Sequence, residues 1–169
     1  MGVETDRLII RSYVEEDLEA LATILGDART MAFWPRPFSR DEVVSWLYRN
    51  IERREHSHYG RRAVILKASG TLIGDAGIVR AELYGEERDD LGYILHHDSW
   101  GQGYATEAAR ALVAHAFQAH GFTTLFANMA HNHRASQRVA ERIGMRRVAE
   151  YPNPRNRRIL TFLYQLDRG

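Results

Sequence analysis

Apolar and polar residues alternate along the chain with two different periods, and these predict an interleaved series of strands and helices. Short apolar runs predict strands near residues 8–10, 63–67, 72–79, 90–97, 124–129, 147–150 and 159–166. Apolar residues spaced by three and four predict helices near residues 14–25, 39–51, 102–120 and 135–143. Ser39 and Glu42 form a capping box at the start of the second helix.

The order of these elements predicts an α/β class with a mixed sheet. Three strands follow one another between residues 63 and 97, which favours antiparallel pairing there. The strands on either side of the helix at residues 102–120 are expected to be parallel neighbours, since a helical crossover joins them.

Composition predicts one ordinary globular domain spanning residues 1–169. The chain is 44% hydrophobic and 27% charged, with a net charge of +1, which does not favour a nucleic-acid partner. It contains no cysteine, which excludes disulfides and thiol nucleophiles and fits a cytoplasmic location. No apolar run has the length of a membrane span, and the N-terminus lacks a signal-peptide pattern, so no membrane association is expected.

A glycine pair carries the strongest chemical signal. Gly101 and Gly103 stand between a predicted strand and a predicted helix, where their backbone N–H groups would form a nest suited to a pyrophosphate. A P-loop would require a Lys followed by Ser or Thr, which is absent. A dinucleotide fingerprint would require a third Gly or Ala where Thr106 stands.

The segment Trp100-Gly101-Gln102-Gly103-Tyr104-Ala105 resembles the coenzyme A loop of the GCN5-related N-acetyltransferase (GNAT) superfamily. The sequence of this loop is similar to that of the ribosomal-protein-alanine N-acetyltransferase (RimJ/RimL-like) branch. Residues 73–77, 132–136 and 143–145 also resemble that branch, so the similarity covers nearly the whole chain. It implies the acyl-CoA N-acyltransferase fold, with about seven strands in a mixed sheet, four helices and a splayed parallel strand pair.

The resemblance implies acetyl-CoA as cosubstrate and a primary amine, from a protein N-terminus or a small molecule, as acceptor. The implied cofactor-binding residues are Ile94, Leu95, His96, Trp100, Gly101, Gln102, Gly103, Tyr104, Ala105, Thr106, Asn132, Arg134, Ser136 and Arg138. Ser136 is the implied acid for the leaving thiolate. Many family members place a Tyr where this chain has Ala140.

The general base is predicted among four residues. Asp75 and His96 are favoured, and Glu82 and Asp90 border the same strands. Phe33 and Trp34 either wall the acceptor pocket or belong to the core.

Three further expectations concern metals, rivals and assembly. No metal is predicted, because neither His56 with His58 nor His131 with His133 has a clear third ligand. The alternative function is a non-catalytic acyl-CoA-binding module of the same fold, and a dinucleotide-dependent enzyme is a weaker rival. A homodimer is compatible with the open sheet.

Overall fold

Eight strands and four α-helices build the protein, as seen in a computed structural model that describes residues 2–56 and 59–169, with only the backbone for residues 54–56. The strands are β1 (Val3–Glu4), β2 (Leu8–Arg11), β3 (Gly60–Leu66), β4 (Thr71–Leu83), β5 (Glu86–Leu95), β6 (Thr124–Ala130), β7 (Arg146–Pro152) and β8 (Leu160–Asp167). The helices are α1 (Leu18–Leu25), α2 (Arg40–His56), α3 (Tyr104–Ala119) and α4 (Arg134–Arg142), with short 3₁₀ turns at Glu15–Asp17 and His97–Ser99. None of the described helices is long and apolar enough to cross a membrane.

The predicted mixed α/β class is confirmed, and the strands form one sheet in the order β1-β2-β3-β4-β5-β6-β8-β7. All seven predicted strands are present, and sequence reasoning missed β1, which has only two residues and so carries no periodic pattern. Strand β4 ends later and β5 begins earlier than predicted, because the hairpin that joins them is mostly polar and carries no hydrophobic run.

Helices cover both faces of the sheet. Successive strand residues point to opposite sides, so a strand that is apolar at adjacent positions is buried on both faces. Val64 belongs to the core cluster that includes Ala108 and Ala109 of α3, whereas its neighbour Ala63 belongs to the cluster formed with α1 and α2. Ala108 and Ala109 of α3 are fully buried, so this face of the helix packs close to the strands. The capping box of α2 is also confirmed, since the Ser39 amide donates to Glu42 Oε2 at 2.8 Å.

The parallel pair β5 and β6 is where the sheet opens, and the predicted parallel pairing is confirmed. Within the described ranges these strands pair only at Asp90 and Phe126. By contrast, β4 pairs with β5 over ten successive positions, and β6 pairs with β8 over seven. Beyond Asp90 the carboxyl ends of β5 and β6 therefore separate, and α3 begins beside that gap. A ligand that enters the gap would meet the N-terminus of α3.

Candidate active site

The loop between β5 and α3 has the conformation that the glycine pair predicts. Gly101 has φ +75° and Gly103 has φ +83°, a region that residues with a Cβ rarely occupy. Gly103 is the N-cap of α3, and its carbonyl accepts the first helical hydrogen bond, from the Glu107 amide at 3.0 Å. The amides of residues 104–106 therefore have no partner within the helix and present partial positive charge at its start.

A cavity of about 460 Å³ lies in front of this loop, between β5 and α4. The predicted cofactor residues that line it are Ile94, Leu95, Trp100, Gly101, Gly103, Tyr104, Ala105, Thr106, Asn132, Arg134, Ser136 and Arg138. The other two predicted residues, His96 and Gln102, do not line this cavity. The structure thus brings most of the predicted set to one place.

Arginines on α4 make this cavity basic. Arg134 and Arg138 line it as predicted, and Arg142 lines it as well. Residues four apart on a helix share a face, so the three side chains follow one another along the cavity wall. Sequence reasoning missed Arg142, although continuing the four-residue spacing would have found it. The arginines and the N-terminus of α3 together favour a ligand with several negative charges.

A second cavity, of about 280 Å³, lies across the separated strands. Asp90, Asn128 and the exposed base candidate Glu82 line it. Asn128 Nδ2 donates to Asp90 Oδ1 at 3.2 Å across the gap. Burial raises the pKa of Asp90 to about 6, although the charge of Arg61 and the bond from Asn128 pull it down. Asp90 is only partly buried, so a carboxylate able to accept a proton near neutral pH faces this cavity.

The two cavities meet at a throat, which we define as the residues lining both, and these are Phe33, Trp34, Tyr93, His133 and Ser136. The Phe33 and His133 rings stack with centroids 3.8 Å apart. Burial lowers the pKa of His133 to about 4, so its imidazole is neutral at pH 7. Of the two options for the aromatic residues, Phe33 and Trp34 thus belong to the pocket wall, although Trp34 also packs against the core.

A second loop holds the aromatic side of the throat in place. The Asn156 side chain, in the turn between β7 and β8, donates to the Phe33 carbonyl at 2.6 Å. Arg157 Nη2 donates to the Trp34 carbonyl at 3.3 Å. Each of these contacts joins residues 123 positions apart, so no local sequence pattern predicts them.

The two favoured base candidates lie outside both cavities. Asp75 is fully buried, where its Oδ2 accepts from the Tyr13 hydroxyl at 2.6 Å and from Trp46 Nε1 at 2.9 Å. Its Oδ1 lies 3.5 Å from Arg61 Nε, in a buried ion pair. The geometry therefore favours Asp75 as a structural group.

His96 is turned away from the gap. Its amide donates to the Ile73 carbonyl of β4 at 2.9 Å, and its ring lies beside exposed Asp98. The candidacies of His96 and Asp75 stay predictions, and the surroundings of Asp90 fit the role better.

The histidines predicted not to bind metal occupy separate places. His131 is exposed at the surface, whereas His133 lies in the throat. His58 and the side chain of His56 lie outside the described residues. Among the described residues, Asp27, His96 and His97 offer ligand atoms within 4.8 Å of one another. Hydrogen bonds from Thr30 and His97 already engage Asp27 and hold its pKa well below its usual range.

Comparison with known proteins gives one family. A family model described as "Acetyltransferase (GNAT) domain" matches residues 7–146. The uncharacterised protein YkkB of Bacillus subtilis is 31% identical over 144 residues, which is 83% of each chain. A GNAT-family acetyltransferase from Bacillus anthracis, solved by crystallography, superposes with a TM-score of 0.84 at 25% identity, covering 99% of this chain and 98% of that one.

A further solved structure shares the fold at lower identity. It is RimL, described as a ribosomal L7/L12 α-N-protein acetyltransferase in complex with coenzyme A. Its TM-score is 0.83 at 16% identity, covering 99% of this chain and 98% of that one.

Proposed function

This chain belongs to the acetyltransferase (GNAT) family, and from that premise we propose that it moves the acetyl group of acetyl-CoA to a primary amine by direct attack of the amine on the thioester. It is thus an N-acetyltransferase, as the sequence predicts. The observation that carries the proposed reaction is the throat, where a basic cavity meets a second cavity lined by the half-buried carboxylate of Asp90.

The larger cavity is the proposed site of acetyl-CoA. The amides of residues 104–106 and the arginines of α4 bind the phosphates, and the pantetheine arm runs along the open edge of β5 towards the throat. RimL, which has the same fold, was solved with coenzyme A, and this supports the assignment.

Leu95 is the proposed oxyanion donor on β5. The His96 amide bonds to β4, and because alternate residues of an antiparallel strand bond to the same neighbour, the amide of Leu95 points into the gap. The Leu95 carbonyl is on that side too, where it accepts from Trp100 Nε1 at 2.8 Å. A free amide there would stabilise the negative charge that develops on the thioester oxygen.

The second cavity is the proposed site of the acceptor amine. The amine reacts as its neutral free base: its lone pair attacks the carbonyl carbon, and Asp90 takes the one proton that the nitrogen loses as the carbon–nitrogen bond forms. When the carbon–sulfur bond breaks, its electron pair goes to sulfur, and Ser136 supplies a proton to the thiolate. The products are an acetamide and free coenzyme A.

Thiol release from acetyl-CoA tests the proposal directly. The panel contains peptides with N-terminal Ala, Ser and Met, a polyamine, an amino sugar and free amino acids, with acetyl-CoA binding measured in parallel by calorimetry. Release with one acceptor class would support the enzyme and name its substrate. Binding without release for any acceptor would favour the non-catalytic binding module, and no binding would refute the coenzyme A assignment.

A glycine variant tests the phosphate site with a matched control. In Gly103→Val a branched side chain enters the loop, and we expect the Kd for acetyl-CoA to rise at least about tenfold. Gly121→Val is the control, because Gly121 has a similar φ of +71° but lies outside both cavities. Equal affinities for the two variants would contradict the assignment.

A further inference from the structure

The hydroxyls of Tyr93 and Ser136 form a direct pair in the throat. Tyr93 Oη lies 3.0 Å from Ser136 Oγ, a contact in which either hydroxyl can donate, and the Tyr93 hydroxyl also reaches the Ser136 carbonyl oxygen, to which it can donate at 3.2 Å. Ser136 is 8% exposed, at the start of α4, while Tyr93 comes from β5. Residues that lie 43 positions apart thus meet where the two cavities join.

This pairing addresses a difficulty in the proposed acid step. A thiolate with a pKa near 8.5 is a weak base compared with a serine alkoxide, so a serine that gives up its proton without replacement is a poor acid. A phenol is a better proton source than a serine hydroxyl, even though burial raises the pKa of Tyr93 from 10.0 to about 12. Ser136 can act only if a second group returns a proton to its oxygen as the first one leaves.

We propose that Tyr93 is a positioning residue that orients the Ser136 hydroxyl towards the leaving sulfur and returns a proton to it. The inference rests on the proposed acetyl transfer. As the carbon–sulfur bond breaks, sulfur takes the Ser136 proton and Ser136 Oγ takes the Tyr93 proton. The Tyr93 phenolate then regains a proton from solvent, while Asp90 releases to solvent the proton taken from the amine, so charge and protons balance.

Within the described part of the chain, Tyr93 is the one tyrosine that lines both cavities. Tyr104 lines the larger cavity alone. Ala140, the position at which related chains often carry a tyrosine, is 1% exposed and packed among Ala127, Met129 and Met145. Position 140 therefore supplies no hydroxyl, whereas the Tyr93 hydroxyl reaches Ser136 from β5.

The surroundings of Tyr93 keep it protonated. Burial raises its pKa to about 12, the Ser136 bond lowers it, and the charges of Asp90 and Tyr164 raise it further. Tyr93 therefore keeps its proton throughout the working pH range and can donate it to Ser136 when the carbon–sulfur bond breaks.

Tyr93→Phe tests the inference, because it removes the hydroxyl and keeps the ring. With acetyl-CoA and the best acceptor of the panel, we expect kcat to fall about 10- to 100-fold while the KM and Kd for acetyl-CoA stay unchanged. Tyr13→Phe is the control, since Tyr13 is also buried and donates to a carboxylate, that of Asp75, but lies outside both cavities. In the double variant with Ser136→Ala, kcat should fall no further than in Ser136→Ala alone.

A fluorinated tyrosine at position 93 separates proton transfer from structural support. 3,5-Difluorotyrosine keeps the hydroxyl and lowers its pKa, so we expect kcat to decline at alkaline pH where the wild type does not. A purely structural role would leave the pH profile unchanged. If the wild type releases thiol while Tyr93→Phe keeps full kcat, this inference fails alone; if the wild type releases none, the proposed function fails first.

Discussion

Asp90→Asn should make the protein more stable and less active at the same time. Burial raises the pKa of Asp90 from 3.8 to about 6. A difference of that size corresponds to about 3 kcal/mol, at about 1.36 kcal/mol per pKa unit. This is an upper value, because water in the cavity reaches part of the side chain.

The sign of the stability effect follows from proton binding. Below about pH 3.8 the carboxyl is protonated in both the folded and the unfolded chain. Between about pH 4 and pH 6 the unfolded chain loses this proton first, so the free energy of unfolding falls as pH rises. Above pH 6 the folded protein carries the full penalty of a buried charge. Asparagine has no charge to bury, and it can still accept the hydrogen bond from Asn128.

The assay is urea denaturation of both proteins at pH 4 and pH 7.5, together with kcat/KM across the same range. We expect the variant to gain about 1–3 kcal/mol over the wild type at pH 7.5 and little at pH 4. Its kcat should fall about 10²- to 10⁴-fold, and the rise of wild-type kcat/KM through about pH 6 should disappear. A variant that keeps its activity, or gains no stability at pH 7.5, would refute the role given to Asp90.

Two further substitutions separate structural carboxylates from the proposed catalytic one. Burial raises the pKa of Asp75 as it does that of Asp90, but Asp75 also pairs directly with the buried Arg61. Asp75→Asn leaves that guanidinium without its partner and should therefore lower the free energy of unfolding by up to about 3 kcal/mol in urea, with surface Asp41→Asn as control. If folded Asp75→Asn instead lost its kcat with its stability intact, the sequence-based choice of Asp75 as base would stand. Glu107→Gln should lower the free energy of unfolding by about 1–2 kcal/mol in urea. The Glu107 carboxylate accepts hydrogen bonds from the Thr5 hydroxyl and the Arg7 amide, and these bonds connect the N-terminal strands to α3. A loss no larger than that of exposed Glu52→Gln would contradict this explanation.

Local signals in the sequence were sufficient for much of the fold and for half of the candidate site. Hydrophobic periodicity predicts strands and helices because burial acts on one face of each element. It missed the two-residue β1, the polar hairpin between β4 and β5 and the last turn of α2. The glycine pair predicts the phosphate loop because positive φ is a property of individual residues. Helical spacing likewise brings Arg134 and Arg138 to one wall.

The acceptor side of the site depends on contacts that no local pattern encodes. Asp75 and Asp90 look equivalent in sequence, since both are acidic residues in predicted strands. Only the tertiary structure shows that Tyr13, Trp46 and Arg61 surround Asp75, whereas Asp90 faces a cavity.

The sequence alone therefore determined the element order, the glycine loop and the family. The tertiary structure decided which carboxylate faces a cavity and which tyrosine meets Ser136. The physical reason is that backbone conformation and amphipathic spacing are set by neighbours along the chain. The pKa of a carboxyl and the partner of a hydroxyl are set instead by residues brought together from distant positions.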